Sequence, residues 1–241
     1  MMNIVIPMAG LGKRFADAGY DKPKPLIDVL GEPMIAQVIW NITTVMPKMR
    51  MIFIINGSSD SEELEKVISE SVYNPTIIKT PGLTDGSART VLLAKELIDN
   101  DDELVVTNCD QITEDLDLSI LSEFARINEA DGVLGSFIST SPKNSYMLLD
   151  DNGCVQLVKE KIVISNLATN GLHYWRKGSD FVDSATKMIE ANERYNNEFY
   201  VAPSYNYMIK DGKKVLPFFF NMHYPIGTPE DLKKYEDSQS K

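Results

Sequence analysis

Close to the start of the chain, Gly10-Leu11-Gly12 runs directly into Lys13-Arg14, and Lys24 follows between Pro23 and Pro25. Glycines at 10 and 12 let backbone N–H groups approach an anion with no Cβ in the way. Arg14 adds a forked cation shaped for phosphate oxygens, and Lys24 adds a compact point charge. The flanking prolines are expected to hold the Lys24 backbone extended. Far downstream, Asn108-Cys109-Asp110 closes an apolar run and offers one carboxylate. Together these residues could bind and polarise phosphate groups.

Two familiar phosphate motifs fail on their own terms. A dinucleotide fingerprint wants a third glycine, where Phe15 stands, and an acid ending the second strand, where Asn56-Gly57 stands. A Walker-type loop wants Gly-Lys followed by Ser or Thr, and none closes this turn. Cys109 is no candidate nucleophile, because no histidine pattern supports its activation.

The positions of these residues follow from hydrophobic periodicity. Residues 3–8, 51–56, 76–79, 103–110 and 131–138 read as strands. Helices are expected between them. Over 33–46 the apolar stripe is Ile35, Val38, Ile39, Ile42, Val45 and Met46, and over 59–72 it is Leu64, Val67, Ile68 and Val72. Further helices are expected over 87–98 and 119–129. Such alternation implies parallel strands with helices on both faces. In these folds ligands bind outside the carboxyl ends of the strands, so Gly10–Arg14 and Asn108–Asp110 are expected on one rim.

Beyond residue 140 the texture changes. Residues 146–161 read as a hairpin around Asp151-Asn152-Gly153, 164–178 as irregular chain and strand, 180–192 and 202–210 as helices, and 213–220 as a strand. A final helix is capped by Thr228 with Pro229 at its first position. No linker or repeat interrupts the chain. One domain is expected over 1–241, with a nucleotide-binding half (1–140) and an acceptor-binding half (141–241).

The 241 residues carry 35 Asp and Glu against 24 Lys and Arg, a net charge of −11. That argues against a nucleic-acid partner but not against a small phosphorylated ligand. Two cysteines, Cys109 and Cys154, form neither a disulfide framework nor a metal spacing, and His173 and His223 stand alone. No apolar run is long enough for a membrane span, and the opening residues lack a signal peptide's layout, so a cytoplasmic protein is expected. Homo-oligomerisation is left open.

The order of the motifs resembles that of sugar-phosphate nucleotidyltransferases. The turn Ala9-Gly10-Leu11-Gly12-Lys13-Arg14 and Pro23-Lys24-Pro25-Leu26 match the opening signature, residues 84–98 the second nucleotide-contacting segment, and "VVTNCDQI" the strand bearing the metal-binding acid. "VKEKI", "TNGLHYW", "NNEFYVAPSYNYMI" and "IGTPEDLKKYE" follow as later landmarks. The resemblance implies an α/β, Rossmann-like three-layer fold with a mostly parallel mixed sheet, of the nucleotide-diphospho-sugar transferase type. It also implies Mg²⁺ on Asp110, with Arg14, Lys24 and Asp110 catalytic. Ala9, Gly10, Gly12, Thr80, Gly86 and Ser87 would meet a nucleoside triphosphate, and Glu160, Lys161, Asn170 and Gly171 a phosphorylated acceptor.

This chain departs from the pattern in three places. Pro225 stands where many members carry a second metal-binding acid, Thr80 where many carry a glutamine, and Met8-Ala9-Gly10 replaces the commoner Leu-Ala-Ala-Gly. The last variant resembles the branch linked with capsule and surface-polysaccharide genes. Two other readings stay open: a glycosyltransferase of the related fold using a nucleotide-sugar donor, and a non-catalytic nucleotide-binding protein.

Overall fold

A computed structural model describes residues 1–43, 49–57, 61–114 and 116–240. Among these residues the main sheet has nine strands. Thr76–Thr80, Met49–Asn56, Met2–Met8 and Glu103–Val106 lie side by side and run parallel. Leu167–Trp175 then pairs antiparallel with both Glu103–Val106 and Gly132–Ile138. The hairpin Ser145–Leu149 and Val155–Glu160 extends one side, and Val215–Phe219 runs parallel to Gly132–Ile138. The sheet is therefore mixed and mostly parallel in its first half, as expected. A strand from the second half of the sequence sits between two strands of the first.

Strand alternation assigns the two faces. In Met2–Met8, Ile4, Ile6 and Met8 face one core and Val5 the other. The first core also takes Ile35, Val38, Ile39 and Ile42 from the helix Met34–Thr43. The second takes Ala88 and Val91 from Ser87–Leu92 and Phe181, Val182 and Ala185 from Gly178–Glu190. Helix, sheet and helix thus form three layers, each face closed by a helical stripe of apolar side chains.

Several expected elements differ in detail. Val45 and Met46 lie outside the described residues. The helix over 87–98 is two pieces, Ser87–Leu92 and Lys95–Ile98, because Leu93 and Ala94 donate to Thr90 and Val91 and tighten the chain into i→i+3 turns. Residues 202–210 begin as a 3₁₀ turn, Ala202–Ser204, around Pro203 before the helix Tyr205–Lys210. The last helix, Pro229–Gln239, is capped as read, Asp231 N donating to Thr228 Oγ1 at 3.1 Å. Two small pairings have no clear sequence signal: Asp28–Val29 with Glu32–Pro33, and Gln111–Thr113 with His223–Pro225.

Because Met2–Met8 and Glu103–Val106 are parallel neighbours, their carboxyl ends share one rim. The chain leaves the first through Ala9–Gly12 into the short helix Lys13–Asp17. It leaves the second through Thr107–Asp110.

Candidate active site

Gly12 turns the chain with φ 60°, a left-handed conformation that costs an L-residue. Its carbonyl accepts from Phe15 N at 3.0 Å, and Phe15 is buried in the core. The position a dinucleotide fingerprint would give to glycine is here an anchor for the helix. A Cβ on Gly12 would come within 2.9 Å of the Lys24 Cβ, so the glycine turn and the lysine stem lie in direct contact. A Cβ on Gly10 would meet nothing within 4 Å.

Lys24 does not have the extended backbone expected of it. Pro23 is extended, at φ −53° and ψ 143°, and Lys24 opens a 3₁₀ turn that ends when Ile27 N donates to its carbonyl. Pro25 and Leu26 are buried behind it. The turn aims the ammonium inward, where Nζ meets Asp110 Oδ2 at 2.6 Å. Asp110 is fixed in turn by the last landmark of the sequence. Ile226 N donates to the Asp110 carbonyl at 2.8 Å, and a Cβ on Gly227 would overlap Oδ2. Gly12 and Gly227 thus bracket the ion pair.

Both partners are charged. Burial pushes the Asp110 carboxyl up, but Lys24, aided by Arg14, outweighs it and holds the group below the usual range. Burial likewise works against the Lys24 ammonium, and Asp110 raises it well above its ordinary value. Cys109, next in line, is pushed up to about 11 chiefly by burial and is no nucleophile.

Lys24, Cys109 and Gly227 line a cavity of about 570 Å³, and Asp110, held between Lys24 and Gly227, lies behind this wall rather than on it. Ala9, Gly10, Gly12, Arg14 and Lys24 line one side, with Arg14 exposed to it. Thr84, Gly86, Ser87 and Thr90 line the cavity as well, and Leu11 and Leu83 present apolar surface. Gly86, at φ 119°, packs against the backbone of Phe199, where a Cβ would clash. Phe199 N donates to Asp85 O at 2.8 Å and Ala88 N to Phe199 O at 2.9 Å. This contact brings Glu198 and Tyr200 into the cavity wall. Thr80 does not line the cavity; its hydroxyl donates to Gly82 O at 2.6 Å, closing a turn.

Glu198 and Tyr200 also line a second cavity of about 270 Å³ together with Glu160. Glu160 is only 7% exposed; burial raises its carboxyl pKa despite a hydrogen bond from Ser145 and the nearby Lys161. Lys161 Nζ donates to the Tyr200 hydroxyl at 2.6 Å. Asn170 and Gly171 sit apart from both cavities, where the strand Leu167–Trp175 breaks register. Asn170 accepts from Leu172 N at 3.1 Å, and Gly171 packs against Asn108 and Gln111, behind the Asp110 turn. Glu160 thus lines the second cavity, Lys161 lines neither and reaches them through Tyr200, and Gly171 stands behind the Asp110 turn. Glu198, Tyr200, Thr84 and Thr90 are not singled out by the sequence, although residues 84–98 and 196–209 each carry one of its landmarks.

Among the described residues no three or more His, Cys, Asp or Glu side chains are grouped to hold a metal ion. Pro225 pairs with Gln111 and brings no ligand, and burial lowers the His223 imidazole to about 4, leaving it neutral. The donor set at Asp110 is one ionised carboxylate. It fits Mg²⁺, which keeps few protein ligands and takes the rest from substrate phosphates and water.

Comparison with known proteins agrees with this architecture. The nucleotidyl transferase family model matches residues 4–240. The chain is 27% identical over 236 residues to the bifunctional protein GlmU of Methanocaldococcus jannaschii; the match covers 96% of this chain and 52% of GlmU, so the chain spans about half the length of that curated relative. Among solved structures it resembles a nucleoside-diphosphate-sugar pyrophosphorylase from Vibrio cholerae (TM-score 0.81, 24% identity, 97% of this chain and 99% of the other). It also resembles a UDP-glucose pyrophosphorylase complexed with UDP-glucose (TM-score 0.78, 16% identity, 100% and 98%). The two solved structures agree with the fold, and the family model matches nearly the whole length: this chain belongs to the nucleotidyl transferase family.

Proposed function

We propose that this protein transfers a nucleoside monophosphate from a nucleoside triphosphate to a small phosphorylated acceptor, a sugar 1-phosphate or a similar phosphate monoester. An acceptor phosphate oxygen forms a bond to the α-phosphorus. The bond from that phosphorus to the bridging oxygen breaks, and pyrophosphate leaves with the electron pair. The nucleophile is already an anion, so no general base is needed. The barrier is the approach of two polyanions and the charge on the leaving group, which preorganised cations lower.

The observation that carries this reading is a cavity lined by a glycine turn, Arg14 and Lys24, with the Lys24 ammonium 2.6 Å from the Asp110 carboxylate behind it. Arg14 is assigned to the β- and γ-phosphates, and Lys24 to the α-phosphate and the incoming oxygen. Ala9, Gly10, Gly12, Gly86 and Ser87 are assigned to the nucleotide, with Thr80 shaping the base loop from behind. Glu160 and Lys161 are assigned to the acceptor, with Gly171 backing the Asp110 turn and Asn170 beside it in the same strand. Asp110 would hold Mg²⁺, which would supply charge neutralisation between phosphates. A cytoplasmic role in making activated precursors for surface polysaccharide fits this chemistry.

A pyrophosphate-release screen tests the reading: five nucleotides against a panel of phosphorylated acceptors, with and without Mg²⁺. Pyrophosphate formed only when triphosphate and acceptor are both present supports it. A non-catalytic nucleotide-binding role is favoured by Pro225 alone, and binding with no turnover across the panel would establish it instead. Transfer from a nucleotide sugar without pyrophosphate release would mark a glycosyltransferase.

A further inference from the structure

Lys161 is held more tightly than an exposed hairpin lysine needs to be. Its backbone is left-handed, at φ 52°, and its N–H donates to Asn144 O at 3.0 Å. Its ammonium lies 4.1 Å from the centre of the Tyr200 ring and 5.3 Å from that of Tyr195. It donates to the Tyr200 hydroxyl at 2.6 Å and lies 3.5 Å from Glu160 Oε1, a poor hydrogen bond. The Tyr200 hydroxyl donates onward to Glu198.

The segment carrying these tyrosines is fixed at both ends. Tyr195 and Glu198 exchange backbone hydrogen bonds of 3.0 and 2.9 Å across Asn196 and Asn197, which have φ of 48° and 64° as a tight hairpin turn requires. Just beyond, Phe199 is bonded to Asp85 and Ala88, and Val201 N donates to Ser87 Oγ at 3.3 Å. The backbone is thus tied to the nucleotide wall while its side chains hold the acceptor cation.

We propose that Tyr200 is a positioning residue that spaces Lys161 from Glu198, so that the ammonium keeps a donor for the acceptor's phosphate at a fixed distance from the nucleotide. The inference rests on the assignment of Lys161 to the acceptor. A lysine stem is long and mobile, and Glu160 and Glu198 flank its charge. A direct Lys161–Glu198 ion pair would compete with a phosphate. The phenol prevents this by accepting a hydrogen bond from Lys161 and donating one to Glu198, a neutral link between opposite charges.

Tyr200→Phe keeps the ring and removes the link. With the best acceptor from the pyrophosphate-release screen, acceptor KM rises about tenfold, the scale of a lost hydrogen bond to a charged group. Nucleotide KM and the unfolding temperature stay as in wild type. Adding Glu198→Gln to Tyr200→Phe removes the competing anion and lowers acceptor KM again, a recovery that a merely structural role does not give. An unchanged acceptor KM in Tyr200→Phe, an equal rise in nucleotide KM, or no recovery in the double variant overturns the proposal.

A second arm needs no turnover. The protein is reductively methylated with carbon-13, the Lys161 signal is assigned with Lys161→Arg, and inorganic phosphate is titrated. Phosphate moves that signal in wild type with about tenfold higher affinity than in Tyr200→Phe; equal affinities overturn the proposal. A wild-type protein with no turnover refutes the assigned function, while this titration still decides the role of Tyr200.

Discussion

Replacing Lys24 by Met separates catalysis from stability. The methionine keeps the stem that packs on Gly12 and removes the ammonium 2.6 Å from Asp110. Losing one preorganised stabiliser of transition-state charge costs about 3–4 kcal/mol, or roughly a hundred- to a thousand-fold in turnover. The folding cost is smaller. Removing one partner of a fully buried pair costs about 3–5 kcal/mol, but the Lys24 and Asp110 side chains are 21% and 25% exposed. Water reaches the carboxylate left behind, so we expect about 1–2 kcal/mol. The assay is steady-state pyrophosphate release beside urea unfolding of the same preparations. Turnover should fall by at least two orders of magnitude in a protein that remains folded. Asp110→Asn should also fall, and the double variant should lose less than the sum of the two in free energy, because the residues act as a pair. A folded Lys24→Met protein with near-normal turnover would refute the reasoning.

Further expectations follow from single contacts. Gly227→Ala displaces the Asp110 carboxylate, since its Cβ would overlap Oδ2; turnover falls at least about tenfold with a smaller change in stability, read from the same two assays. Gly12→Ala places a side chain at φ 60° against the Lys24 stem and costs about 1–2 kcal/mol in urea unfolding. Burial holds His173 neutral, with its pKa lowered to about 4 from 6.5, so the unfolded chain takes up that proton first as pH falls. Its share of stability is therefore present above about pH 6.5 and lost toward pH 4, about 3 kcal/mol in all, and His173→Phe should reduce the slope of the urea-midpoint profile over that window, His223 supplying a like share of the remainder. Cys109, raised to about 11, should resist iodoacetamide in the folded protein at pH 7.5, and Cys109→Ser should keep its turnover.

The parts legible in the sequence are those whose meaning is local. Gly10, Gly12 and Arg14 announce a turn next to a strand, and Asp110 lies in the turn after another, which ends at Val106, short of the expected 103–110. Parallel alternation puts both on one rim without any knowledge of contacts. The helical stripe of Ile35, Val38, Ile39 and Ile42 was equally readable, because periodicity records the buried face directly. The parts that were not legible depend on contacts between distant residues. Glu198 and Tyr200 enter the site only because Gly86 lets Phe199 approach, a contact across more than a hundred residues. Thr80 looks like a binding residue on its loop, yet its hydroxyl is spent on Gly82. Gly227 resembles any turn glycine until the Asp110 carboxylate is seen against it. The pairing of Lys24 with Asp110 is of the same kind: both were singled out, but only the fold turns two charges into one ion pair.

The central claim is that the α-phosphorus of a triphosphate is attacked by another phosphate at this cavity. The most direct measurement follows radiolabel from the α-phosphate and, separately, from the γ-phosphate of the nucleotide preferred in the screen. The account predicts that α-label appears in the diphosphate-linked product and γ-label in pyrophosphate, in equal amounts and in step. The γ-label appearing as inorganic phosphate, or the α-label remaining with the free nucleotide while acceptor is consumed, would contradict it.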